Sequence, residues 1–276
     1  MNYNSFFFTI GNIYNNSFYT FLLVLFAFIG YVEISADIAL AISITVLFTQ
    51  IFSGNMRNII IASNNFNLLN KVKQFRIFLS IVIFFISCLL FFIITNEINF
   101  FIFSLIMLII VGWINELNLL EQELSNKNKK ILLYLVFNFL LSILIIFILI
   151  IGNPKSIFIP IIFQFIFNFF LFAKKNDFLL NDINSFKNRI YELKQFSFAF
   201  YSSFSMIFAN FISRSLIFLS VEKNFAGILF ASYAIGSLPG TIFNNTFGPL
   251  LIKKKLTIPK FIKYLIILIF LFFLFL

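Results

Sequence analysis

"ILLYLVFNFLLSILIIFILII" runs from Ile131 to Ile151 without one charged side chain. A helix of roughly 20 apolar residues is long enough to cross a hydrocarbon core of about 30 Å. Comparable runs recur at about Phe18–Val32, Ala36–Ser53, Ile77–Thr95, Phe100–Leu119, Ser156–Ala173, Phe196–Val221, Gly227–Ile252 and Phe261–Leu276. The fold expected from this pattern is all-α: a polytopic helical membrane protein with about nine transmembrane helices.

Composition agrees. Of the 276 residues 61% are hydrophobic and only 11% charged, against about 25% charged in soluble proteins. That leaves no room for a soluble domain of useful size. The net charge of +10 raises the possibility of nucleic acid, but the basic residues lie in short segments between apolar runs, a pattern that speaks of topology. No nucleic-acid partner is therefore expected. Cys88 is the single cysteine and lies in an apolar run, which rules out a disulfide framework and reads as a buried structural thiol. Histidine is absent, so imidazole metal sites and histidine bases are excluded. Neither metal nor other cofactor is expected. The N-terminus carries no basic segment followed by a small-residue cleavage site, so no cleavable signal peptide is expected.

The runs come in pairs. Short breaks such as "YVEISAD" (31–37) and "TNEIN" (95–99) join partners, while longer polar breaks such as "KKNDFLLNDINSFKNRIYELK" (174–194) separate pairs. Of the 20 Lys and Arg residues, 17 fall in the second, fourth, sixth and eighth connections, and the odd connections hold only Lys155 and Lys223. Positive charge in short loops stays on the cytoplasmic side, so the N-terminus is expected there. The sixth connection divides the chain into a first transmembrane lobe of six helices (1–175), a cytoplasmic inter-lobe linker (176–195) and a partial second lobe of three helices (196–276). The last run is short and reaches Leu276 with no polar flank, and the chain is expected to be a fragment of a longer protein. The connection "IIIASNNFNLLNKVKQF" (59–75) reads either as a helix lying along the inner surface or extending the second span, or as a polar elbow.

The seventh span carries a polar stripe. At about 100° per residue, Ser202, Ser203, Ala209, Asn210, Ser213, Arg214 and Ser220 share a sector of roughly 140°, and the phenylalanines lie outside it. A charge facing lipid costs at least about 2.5 kcal/mol, so the stripe is expected to face helices or water. For Arg214 two readings stand: it snorkels outward and pairs with Glu222 or Glu33, or it contacts an anion in a cavity. The eighth span, "GILFASYAIGSLPGTIFNNTFGPLL" (227–251), repeats Ser232, Gly236, Gly240, Asn244 and Gly248 every four residues. Such a ridge lets a partner helix approach closely, and Pro239 makes a hinge. Asn244 and Asn245 read as hydrogen-bonding partners for a sugar or a neighbouring helix. Trp113 and Glu116 read as a boundary aromatic and a solvated carboxylate. Glu33 and Asp37, bracketing an external turn, read likewise as solvated, or for Asp37 as a helix cap. No phosphate-binding glycine loop, carboxylate pair or activated nucleophile is present, so enzyme chemistry is not expected.

Paired spans, a cytoplasmic N-terminus, a linker after six helices and then "FISRSLIFLSVEKNFAGILFASYAIGS" (211–237) resemble the polysaccharide (O-antigen type) flippases of the multidrug/oligosaccharidyl-lipid/polysaccharide exporter superfamily. The resemblance rests on Arg214 in the outer half of the seventh span, the acidic turn at Glu222, Gly227, the small-residue eighth span and Pro249. "EISADIALAISIT" from Glu33 echoes "EKNFAGILFASYA" from Glu222, which implies two repeated lobes; Leu25 stands where the echo of Arg214 falls. The resemblance implies translocation of a lipid-linked oligosaccharide, a polysaccharide or lipopolysaccharide precursor, across the bacterial inner membrane by alternating access of the lobes. Its partners are then that lipid and the surrounding membrane lipids, and the coupling ion is left open. Arg214, Asn210, Ser213, Asn244 and Asn245 are the cavity candidates, and Gly236, Pro239 and Gly240 the packing and hinge candidates. The other readings are a membrane-embedded polysaccharide polymerase or ligase, and a non-functional remnant.

Overall fold

The computed structural model of the chain describes residues 3–53, 56–57, 60, 65–125, 129–152, 154–172 and 197–242. Asn244, Asn245, the inter-lobe linker and the ninth apolar run lie outside the described residues. Within them eight α-helices are delimited, residues 56–57 and 60 are helical as well, and no strand forms. The eight are α1 (Tyr3–Ile29), α2 (Val32–Ile51), α3 (Phe66–Thr95), α4 (Phe100–Leu124), α5 (Lys129–Ile150), α6 (Phe158–Phe172), α7 (Ser197–Ser220) and α8 (Lys223–Ile242), with a 3-10 turn at Pro154–Ile157.

Local chemistry sets where these helices stop. Gly30, at φ 101°, takes the left-handed conformation that costs glycine nothing. Its N–H bonds the Ala27 carbonyl and the Tyr31 N–H bonds that of Phe26, so the last turn of α1 is closed by a Schellman motif and the chain reverses into α2. The "TNEIN" break works through asparagines. Asn96 ends α3 in the left-handed region (φ 53°), and the Asn99 side chain caps α4 by accepting from the Phe101 and Ile102 N–H groups. Asn65 caps α3 in the same way, through Asn67 and Leu68. The polar half of the 59–75 connection is therefore the first three turns of α3, which is 30 residues long, and is not a continuation of α2.

The long apolar runs do different work. The helices α2, α3, α4 and α5 are each long and apolar enough to cross a membrane, and shorter apolar stretches lie at Ser17–Phe28, Phe158–Phe172 and Phe204–Ser220. Two of the long helices, α2 and α4, are buried over most of their surface, which places them at the centre. In contrast α3 and α5 bury one face and turn outward residues such as Phe85, Leu89, Phe139 and Phe147. An apolar exterior on this scale suits hydrocarbon rather than water. The molecule is an all-helical membrane protein. Around the centre, α4 packs against α3 and α6, α5 against α1 and α6, and the α7–α8 hairpin against α2, with α8 also meeting α1.

Helices α2 and α8 come close together at Gly227. A Cβ there would run into the backbone carbonyl of Val32, so only glycine lets α8 lie this near to α2. The buried face of α8 is Ala226, Gly227, Phe230, Ala231 and Ala234. Gly236 and Gly240, the expected packing positions, are exposed, with no atom within 4 Å of an added Cβ among the described residues. Pro239 sits inside α8, three residues before its end. Replacing Gly227 with alanine is expected to destabilise the protein by about 1–3 kcal/mol through overpacking, whereas Gly236→Ala leaves it unchanged or better. Thermal unfolding of the detergent-solubilised protein measures both.

Candidate functional site

Helix α7 brings its polar stripe to the junction with α2 and α8. The Arg214 guanidinium reaches sideways, Nη1 donating to the Ala39 carbonyl of α2 at 3.5 Å, and its Cζ lies 5.4 Å from the centroid of the Tyr233 ring on α8. The Tyr233 hydroxyl donates to Asn210 Oδ1 at 3.4 Å, and Ser213 donates to the Asn210 carbonyl on its own helix at 3.1 Å. Arg214, Asn210 and Tyr233 thus form one group across α7, α8 and α2. Ser213 stands beside it on the exposed side. No carboxylate lies within ion-pair distance of Arg214 among the described residues, and both Glu33 and Glu222 are exposed. The expected pairing with either does not form.

Just along α2 from Ala39, Asp37 is buried, 4% exposed, and meets Lys223, the first residue of α8. The Lys223 Nζ lies 3.0 Å from Asp37 Oδ1 and 3.5 Å from Glu97 Oε2 in the α3–α4 turn. Asp37 is neither solvated nor a cap. The residue before α2 is Tyr31, whose side chain makes no capping bond.

The opposite end of the bundle holds a second charged group. Arg76, fully buried on α3, donates through Nη1 to the Trp113 carbonyl (2.6 Å) and to Glu116 Oε2 (2.8 Å), and through Nη2 to Ser53 Oγ (3.5 Å). Trp113 is buried, its indole N–H donating to the same Ser53 hydroxyl at 2.6 Å. Arg57 approaches the other Glu116 oxygen at 3.8 Å, and Lys73 pairs with Glu121 at 3.4 Å. Glu116 is therefore no free boundary carboxylate and Trp113 no belt residue. Together they receive the forked guanidinium of Arg76, which a lysine's single ammonium centre does not reproduce.

A third polar group, uncharged, lies between α1, α5 and α6. Asn138 exchanges bonds with Asn168 (2.8 and 3.0 Å) and accepts from Gln164 (2.7 Å). Gln164 also donates to Tyr14, whose hydroxyl meets Ser142 at 2.8 Å. Tyr134 donates to Asn15, which donates to the Gly112 carbonyl. The signal for this network was present in the sequence: Tyr134, Asn138 and Ser142 recur every four residues in an otherwise apolar run, as do Gln164 and Asn168. On α4 the buried amide atoms Asn115 Nδ2, Asn118 Oδ1 and Gln122 Oε1 have no hydrogen-bond partner among the described residues. Among the described residues no three His, Cys, Asp or Glu side chains gather where they could hold a metal ion.

Comparison of the chain with family models, with curated proteins and with solved structures finds no match.

Removing one partner of the Arg76–Glu116 pair leaves the other charge buried. Arg76→Ala is expected to cost about 3–5 kcal/mol, and Arg76→Lys an intermediate amount because charge survives while the fork is lost. Equilibrium unfolding in mixed micelles, read by Trp113 fluorescence, ranks the two.

Proposed function

We propose that this chain moves a lipid-linked oligosaccharide across the bacterial inner membrane by alternating access of two helical lobes. The observation that carries the reading is Arg214: a guanidinium at the junction of α2, α7 and α8 with an aromatic face and a carbonyl as partners and no counter-ion among the described residues. A cation so placed favours an anion, and the phosphate or pyrophosphate of a lipid-linked glycan is one that a planar, forked donor binds well. Asn210 and Tyr233 beside it supply hydrogen-bonding groups of the kind that suit sugar hydroxyls. Two further features support the reading. The α7–α8 hairpin lies against α1 and α2 as a separate unit would, and the turns at Tyr31 and Val221 fall at corresponding places in the two hairpins. In this reading there are about nine membrane-spanning helices, and the bundle end with Arg57, Lys73 and Arg76 faces the cytoplasm, as the placement of positive charge favours.

Expression of the chain in a flippase-null bacterial strain tests the proposal. Surface glycan is expected to return and the accumulated lipid-linked precursor to fall. Arg214→Ala is expected to lower export at least about tenfold at equal membrane abundance, since a lost charge-assisted contact of this kind is worth about 1.5–3 kcal/mol. Absence of surface glycan, with precursor levels unaffected by the chain, ends the reading. Outer-face accumulation of unpolymerised precursor on expression also supports translocation, whereas a polymerase or ligase restores glycan only in a strain that lacks that enzyme and leaves the flippase-null strain unchanged.

A further inference from the structure

We propose that Lys223, with Asp37 and Glu97, is a latch that closes the end of the α2–α7–α8 junction over Arg214. The proposal rests on the reading of two lobes that move about this junction, and its test does not use transport.

Three contacts with the second hairpin fall on one short part of α2. Val32 meets Gly227, Asp37 meets Lys223, and the Ala39 carbonyl meets Arg214. At about 1.5 Å of rise per residue, the Lys223 contact sits roughly 3 Å along α2 from the Arg214 contact, on the side of the bundle end. Lys223 supplies the one ion-pair link between α1–α6 and α7–α8 among the described residues. Both of its acceptors belong to the first six helices, so moving the α7–α8 hairpin away has to part them.

The two acceptors differ in a way that suits opening and closing. Asp37 has a side chain 6% exposed, Lys223 28%, and Glu97 58%. With Lys223 in place the buried carboxylate is compensated; with Lys223 withdrawn it is an unpaired charge in an apolar surround, which favours closure. Glu97, on the wet side, offers the ammonium a second partner as it leaves, so the parting need not strip Lys223 of every counter-charge. With Asp37 Oδ1 at 3.0 Å and Glu97 Oε2 at 3.5 Å, the Lys223 ammonium is held by two carboxylates at once.

What the latch covers is also defined. Ala39 is fully buried, and lies two turns along α2 from Val32 on the face that meets Gly227. A cysteine at Ala39 in a Cys88→Ser background therefore reports whether the junction is open. Right-side-out membrane vesicles are treated with a membrane-impermeant maleimide, and the labelling rate of Ala39→Cys is followed. With the native triad labelling is expected to be slow. Lys223→Gln and Asp37→Asn are each expected to raise the rate about tenfold, the size of a modest shift in a two-state population. Glu97→Gln is expected to raise it less, and the exchange Asp37→Lys with Lys223→Asp to return it toward the native value. Lys223 is partly exposed, so Lys223→Gln reports even where Asp37→Asn impairs folding; unfolding temperature checks each variant. An unchanged rate in a folded Lys223→Gln variant, or an exchange variant that stays as open as the singles, overturns the latch. Expected labelling without restored glycan leaves the latch standing and removes the substrate reading. Restored glycan without a labelling change does the reverse.

Discussion

The buried charges of this bundle are met from other helices, because the exterior of α3, α5 and α6 is Phe, Leu and Ile and offers no water. In an apolar surround an unmet polar atom costs several kcal/mol, and an unmet charge more. The architecture follows the consequence. Arg76 reaches three acceptors on two other segments, Ser53, Trp113 and Glu116, and so ties the end of α2 and the last turns of α4 to α3. At mid-bundle Asn138 performs the same task without charge, joining α5 to α6, with Tyr14 bringing in α1. Apolar packing alone discriminates weakly between alternative pairings of Phe-rich helices when lipid tails are as good a partner. Polar groups with few permitted partners supply the discrimination.

Charge is distributed unequally between the ends of the bundle. At the end with Arg57, Lys73 and Arg76, the ion pairs among the described residues join parts of the first six helices and the connection between α2 and α3, so they staple one unit. At the other end the cation comes from α8 and the anions from α2 and the α3–α4 turn. Gly227 brings the backbones close there, while Arg214 and Lys223 insert two cations of which, among the described residues, Lys223 has carboxylate partners and Arg214 has none. In the proposed function, it is this closely packed, charge-linked junction that receives the anionic headgroup and moves. The amide network around Asn138, by contrast, draws its partners from within the first six helices.

Much of the helical layout was legible from residue order, because the hydrophobic runs and their asparagine and glycine stops are local features. Gly30, Asn96 and Asn99 act within four or five residues of themselves, and the hairpin breaks fell where "YVEISAD" and "TNEIN" indicated. The 59–75 segment was harder. Its Asn and Lys content suggested a surface or an elbow, yet Lys73 and Arg76 are among the most buried side chains of α3, since their partners on α4 lie some forty residues away in sequence. The same distance explains Glu116 and Asp37, which look like solvated boundary carboxylates until Arg76 and Lys223 arrive from other helices. For α8 a four-residue ridge of small side chains suggested a packing face, and among the described residues the face that packs is the neighbouring one around Gly227.

The sequence by itself determined that this is a chain of apolar helices, where several of them begin and end, and that Arg214 shares a stripe with Asn210 and Ser213. Hydrophobic period, chain length and capping act over a few residues, so they can be read along the chain. Only the tertiary structure decided which charges meet an opposite charge, and that Arg214 meets none among the described residues. An ion pair depends on two side chains meeting within about 4 Å, and no local pattern says which distant helix will bring the partner.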